Sequence, residues 1–167
     1  MPQITVISVG TLKEGYLRDA AFEYKKRLSQ YARVDEVCLK EEAIKNEDDA
    51  SEIKRALDSE GAKILAAVPK DSYAIALCVE GKQYDSRELA KIIGNASDAK
   101  GRIALIIGSS HGLSDSVKSA CDLKLSFSKL TFPHQLMKVV LMEALYRSFT
   151  ILAGKKYHKS NAHAPSA

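Results

Sequence analysis

Three stretches of this chain carry residue types whose spacing could do chemistry. The first is Gly108-Ser109-Ser110-His111-Gly112. It closes a continuous apolar run and precedes a helical stretch, and open α/β sheets bind ligands at such places. Its glycines could bring backbone close to a nucleotide-like ligand. The same five residues are a literal G-x-S-x-G, the nucleophile elbow of a hydrolase. Ser110 would then be the nucleophile, with Asp115 or Asp122 as acid and His134 or His158 as base. A plain strand-to-helix turn is the third reading.

The second stretch, Leu125 to His134, alternates apolar with small polar residues and then opens a helix. In isolation it reads as a strand, a turn and an N-terminal cap from Thr131. Following directly on the glycine loop, it could form the other wall of one pocket. The third stretch is the last helix and its tail. Leu136, Val139, Val140, Leu145, Phe149 and Leu152 cover more than one helical face. A helix this apolar is buried in a core or at a subunit interface. A two-fold homodimer through residues 134–153 is therefore expected, with Val140 or Leu141 at its centre. Glu143 and Arg147 stand four apart, the spacing of a helix-surface salt bridge. Gly154-Lys155-Lys156-Tyr157-His158-Lys159 then joins cations, an aromatic ring and a histidine. Such a tail either holds RNA phosphates and stacks a base or is a solvated end. His111 and His134 read as capping or loop residues. No pair of acids or histidines has HExxH-type spacing, so no metal is expected.

These stretches need elements to position them. Ile4–Val9, Ser72–Val79, Arg102–Ile107 and Leu123–Phe127 read as strands, and Arg33–Leu39 as a weaker one. Helical spacing or helix signals cover Tyr16–Tyr31, Asp48–Leu57, Asp85–Ile93, Ser114–Ala120 and Phe132 to near Gly154. Pro133 suits the first position of that last helix. Arg102–Ile107 is apolar on both faces, the mark of a buried parallel strand. The alternation implies an α/β fold with a parallel sheet flanked by helices. The 167 residues suit one domain, 46% hydrophobic and 28% charged, which excludes a wholly disordered chain. Three unclustered cysteines and no CxxC suit a reducing compartment. The N-terminus has no basic n-region, so no signal peptide is expected. Lys138, Glu143 and Arg147 argue against a membrane span in the most apolar stretch. A cytoplasmic domain is the expectation. The net charge of +4 permits a nucleic-acid partner without requiring one. Residues 160–167 are small and polar and are expected to be disordered.

Taken together, Ile103 through Leu113, Leu125 through Gln135, Glu143-Ala144-Leu145-Tyr146-Arg147 and Tyr157-His158-Lys159 resemble the bacterial ribosomal RNA large subunit methyltransferase H family. Val6–Gly10 and Leu77-Cys78-Val79-Glu80-Gly81-Lys82 extend the match over essentially residues 1–159. The Leu-Ser-x-x-Thr-x-Pro-His string, the Leu-Tyr-Arg helix and the Tyr-His-Lys end are specific in combination. The resemblance implies a SPOUT-class α/β fold with a C-terminal trefoil knot, which periodicity alone would never suggest. It implies a homodimer, S-adenosylmethionine as methyl donor, and methylation of N3 of pseudouridine 1915 in 23S rRNA, with the assembled ribosome the favoured substrate. Carried onto matching positions, the cofactor-binding residues are Leu77, Gly108, Phe127, Ser128, Lys129, Leu130, Thr131 and Phe132. Arg147, Tyr157 and His158 face the rRNA as the catalytic set. The family usually has a second glycine where this chain has Ser109.

Methyl transfer from a sulfonium needs in-line positioning, which can supply roughly 7–11 kcal/mol of the barrier. The target imide nitrogen must lose a proton. His158 is either its general base or a positioning group. Arg147 stays charged and would bind phosphate or orient the base. The rival classes are a serine hydrolase using Ser110 and a non-catalytic RNA-binding module of the same fold.

Overall fold

The computed structural model describes residues 1–159. The expectation of disorder for residues 160–167 lies outside them. In chain order the elements are β1 (Gln3–Val9), α1 (Gly15–Leu28), β2 (Arg33–Leu39), α2 (Ala50–Ala67), β3 (Tyr73–Gln83), α3 (Ser86–Lys100), β4 (Arg102–Ile107), α4 (Asp115–Ala120), β5 (Leu123–Ser126) and α5 (His134–Leu152). The five strands form one sheet in the order β2-β1-β4-β3-β5, parallel throughout.

The central strands alternate between two cores. Ile103, Leu105 and Ile107 of β4 pack in a cluster that includes Leu141, Leu145 and Phe149 of α5 and Leu89 and Ile93 of α3. Ile106 packs on the other face with Ile64 of α2 and Val117 of α4. Both faces of β4 are thus covered, as its unbroken apolar run requires.

Three elements run beyond their sequence-based ends, and each overrun passes a glycine. α2 continues through Gly61 because it lies against α4, where an added Cβ would collide with the Ser114 hydroxyl and sit 3.2 Å from Val117. α3 continues through Gly94, where a Cβ would come within 2.9 Å of the Leu152 side chain. β3 continues through Gly81, whose α-carbon faces the Lys124–Leu125 backbone closely enough to leave no room for a side chain. Leu125 pairs with Leu77 and also with Lys82, so β3 shifts register around β5.

The last helix also departs from expectation. Thr131 does not cap it. The helix follows Pro133, whose carbonyl accepts from the Met137 N–H at 2.9 Å, and there is no side-chain cap. Much of its apolar surface packs within the chain. Leu141 is 1% exposed in the core, so it cannot stand at the centre of a dimer interface, whereas Val140 is half-buried. The helix also buries Lys138, whose ammonium lies 2.8 Å from Glu36 Oε1 on β2. Partial burial alone would raise the Glu36 carboxyl, but hydrogen bonds and charge from Lys138 and Lys25 outweigh it and hold the group below the usual range.

Candidate active site

A cavity of about 350 Å³ opens at the carboxyl ends of β3, β4 and β5, where parallel sheets bind ligands. One wall is the glycine loop, Gly108 to Leu113. The opposite wall is the segment after β5, and Leu77 to Glu80 from β3 form the back. Of the expected cofactor residues, Leu77, Gly108, Phe127, Ser128, Leu130, Thr131 and Phe132 line it; Lys129 does not.

The glycine loop is built by its own backbone. Gly112 sits at φ +91°, the left-handed region that favours glycine. Its N–H donates to the Ser109 carbonyl at 2.9 Å, closing the turn. A side chain at Gly108 would run into the Gly112 carbonyl. Gly108 therefore permits the loop to fold on itself, which differs from the expectation that its bareness serves the ligand directly. Ser109, in place of the usual glycine, is buried and donates to Glu60 Oε1 at 3.0 Å. Glu60 Oε2 accepts from the Glu42 N–H at 2.9 Å. This buried carboxylate ties the loop to α2 and to the segment after β2. On the opposite wall, Ser126 Oγ donates to the Ser128 carbonyl at 3.0 Å, and Ser128 Oγ accepts from the Leu130 N–H at 3.0 Å.

Sequence reasoning did not single out Cys78, Glu80, Lys118, His111, His134 or Met137 as lining, yet all face the cavity. Glu80 and Lys118 pair with each other at its wall, 2.6 Å apart. The Lys118 hydrogen bond holds the Glu80 carboxyl below its usual range, and Glu80 raises Lys118 in return. The signal for Glu80 lay in the Val79-Glu80-Gly81-Lys82 string.

Ser110 lacks the geometry of an elbow nucleophile. Among the described non-glycine residues only Asp71 has a left-handed φ, so Ser110 is not strained. Its hydroxyl reaches the Glu41 carboxylate at 3.5 Å and makes no bond to a histidine.

Arg147, Tyr157 and His158 come together, but away from the cavity. Glu143 Oε1 accepts from Arg147 Nε at 2.9 Å and Nη2 at 2.6 Å, fulfilling the i,i+4 expectation. It also accepts from the Tyr157 hydroxyl at 3.3 Å. Arg147 Nη1 lies 3.2 Å from His158 Nδ1, and the guanidinium sits 4.8 Å from the Tyr157 ring centre. The Tyr157 ring meets Tyr146 edge-on at 4.7 Å. Burial, reinforced by the Glu143 charge, pushes the Tyr157 phenol up to about 12, so it stays protonated. The tail is thus a packed cluster. Met137 and Arg147 are ten residues apart on α5, about 15 Å at 1.5 Å per residue, and none of the three tail-cluster residues lines the cavity.

The model of the family described as predicted SPOUT methyltransferase matches residues 2–158. A protein of Shouchella clausii named ribosomal RNA large subunit methyltransferase H is 48% identical over 93% of this chain and 99% of its own length. Its namesake in Clostridium novyi is 50% identical with the same coverage. The chain belongs to the ribosomal RNA large subunit methyltransferase H family of SPOUT methyltransferases. A solved structure described as a probable methyltransferase of Bordetella pertussis Tohama I aligns over 87% of this chain and 93% of its own, with a TM-score of 0.56 and 16% identity. It shares the fold. Membership in a SPOUT methyltransferase family makes this chain a transferase, and both the Ser110 hydrolase and the non-catalytic module fall away. Among the described residues no helix is long and apolar enough to cross a membrane, and no group of three or more His, Cys, Asp or Glu could hold a metal ion.

Proposed function

We propose that this protein is a homodimer that methylates N3 of pseudouridine 1915 in 23S rRNA, using S-adenosylmethionine, on assembled ribosomes in the cytoplasm. The relatives' names supply the rRNA. The carrying observation is the separation of the cavity from the Arg147–Tyr157–His158 cluster. A complete site then takes the cavity from one protomer and the cluster from its partner, which makes the dimer a requirement of the chemistry.

The cavity suits the cofactor. Its volume is within the range of small-ligand sites, roughly 300–1,000 Å³. Leu77 and Phe127 offer apolar walls and the two loops offer backbone groups. Glu80 and Lys118 present both signs of charge at one wall, matching a ligand with an amino group, a carboxylate and a sulfonium. When bound, S-adenosylmethionine supplies the methyl carbon to N3, with the C–S electron pair staying on sulfur and the N3 proton passing to water. Around it, the Gly108–Gly112 turn holds one wall fixed, and the apolar side chains exclude water. The partner's tail presents Tyr157 and His158 to the base, while the exposed Lys155, Lys156 and Lys159 face phosphates.

The test uses ribosomes from a strain lacking the enzyme. Mass spectrometry of digested 23S rRNA should show one added methyl at the helix containing position 1915. A methyl placed elsewhere, or seen only on free rRNA, refutes the substrate. For the dimer, a cavity-defective and a tail-defective variant are co-expressed with distinct affinity handles. Purified mixed dimers should regain up to half the wild-type activity. Inactive mixed dimers would put the whole site in one protomer.

A further inference from the structure

We propose that His158 serves the reaction as a hydrogen-bond donor through Nε2, with Arg147 and Glu143 as positioning residues that fix its tautomer. The role rests on the methyltransferase reading above; the tautomer rests on geometry alone. A guanidinium has only N–H donors and no acceptor. It stays charged at any working pH. The 3.2 Å approach of Arg147 Nη1 to His158 Nδ1 is therefore a bond in one direction. Nδ1 must present its lone pair, and the ring proton must sit on Nε2. Arg147 cannot swing away freely, because Nε and Nη2 are both committed to Glu143 Oε1. The Tyr157 hydroxyl donates to the same oxygen, and the Tyr157 ring covers the guanidinium face. Arg147 thus has its donors turned inward, which leaves it poorly placed as the phosphate anchor expected from its charge.

The consequence falls on His158. Nδ1 is occupied, and Nε2–H has no lone pair to take a proton. The side chain so held cannot be the general base. Among the described residues Nε2–H has no partner, so it is the group left to meet the substrate. As N3 of the target ring loses its proton to water, negative charge spreads onto the two carbonyl oxygens beside it. A fixed N–H donor aimed at one of those oxygens stabilises the charge that develops, as the donors of an oxyanion hole do.

The experiment has two arms on the full chain. In the first, histidine ring nitrogens are labelled with ¹⁵N, and His158 is assigned by its loss in a His158→Gln variant. Proton–nitrogen correlation at neutral pH should show only the Nε2–H form. In Arg147→Met the Nδ1–H form should appear beside it, whereas in Tyr157→Phe, which loosens the cluster but keeps the Arg147–His158 contact, it should not. An Nδ1–H or doubly protonated ring in the wild type overturns the assignment. In the second arm, methyl transfer to ribosomes is compared for His158→Gln and His158→Asn. The Gln amide places an N–H near Nε2, and the Asn amide places one near Nδ1. Gln should keep activity within about tenfold of wild type, while Asn falls roughly 10²–10³-fold. An equal, large fall in both restores the general base and overturns the donor role. A wild type that leaves ribosomes unmethylated refutes the functional reading, and the tautomer is still decided by the first arm.

Discussion

The cavity and the tail cluster both border α5 but are built by opposite means. The cavity is shaped by backbone: a left-handed Gly112, a Gly108 with no room for a side chain, and serine hydroxyls that brace loop carbonyls and amides. The cluster is made of side chains, with one carboxylate oxygen taking three donors from two residues. Backbone fixes the shape of the cavity, within which side chains such as Leu77 and Phe127 supply the walls. Side-chain networks fix the direction of individual N–H groups, as directed chemistry requires. The two regions should therefore fail differently when altered.

The largest effect is expected from cutting the chain after Lys156, which removes Tyr157 and His158 together. Methyl transfer to ribosomes should fall on the order of 10³-fold or more, while S-adenosylmethionine binding by calorimetry stays within twofold. Intact turnover would erase the distinction and send the search for the acceptor site back to the cavity. Gly108→Val attacks the opposite region. Its side chain meets the Gly112 carbonyl, so the turn must open. The stabilisation of about 2.7 kcal/mol expected at a hundredfold excess of ligand over Kd should vanish from melting curves. The tail's ¹⁵N signature should be unchanged. A full ligand shift in this variant would show that the turn does not build the site.

A third change tests what joins the regions. Lys138 lies between them on α5, buried against Glu36. Glu36→Gln leaves an uncompensated ammonium, and denaturant unfolding should show a loss of about 2 kcal/mol, below the 3–5 typical of deeply buried pairs because Glu36 is partly exposed. The folded carboxyl is lowered, so its contribution is present above the ordinary value of about 4.3 and is lost as pH falls through the lowered one. The variant should lack this acid limb; an identical acid profile would show that the pair contributes nothing. The smallest effect is expected for Tyr157→Phe. It removes one 3.3 Å bond to Glu143 and keeps the ring, so turnover should drop only about threefold. A drop as large as that of the truncation would assign the hydroxyl a direct part in the reaction.

Much of this molecule was legible in its residues. Arg33–Leu39 and Arg102–Ile107 are strands at the bounds their apolar patterns set, one by alternation and one by an unbroken run, because both patterns are local and need no distant partner to be seen. The family's strings identified the chemistry, and seven of eight expected cofactor residues line one cavity. Other features depend on groups far apart in sequence. Gly61, Gly81 and Gly94 look like breaks until α4, β5 and α5 lie against them. Ser109 looks like a departure until Glu60 is seen beneath it. Lys138 reads only as a charge that argues against a membrane span until Glu36 is seen beside it. Residue types and spacing determined an α/β fold with a glycine turn and a Tyr-His tail, and the resemblance to the family added the methyltransferase. The tertiary structure alone decided that the tail packs away from the cavity and that Arg147 meets Nδ1 of His158. Periodicity reports neighbours a few residues away, whereas hydrogen-bond direction is set by whatever donor the fold brings within about 3 Å.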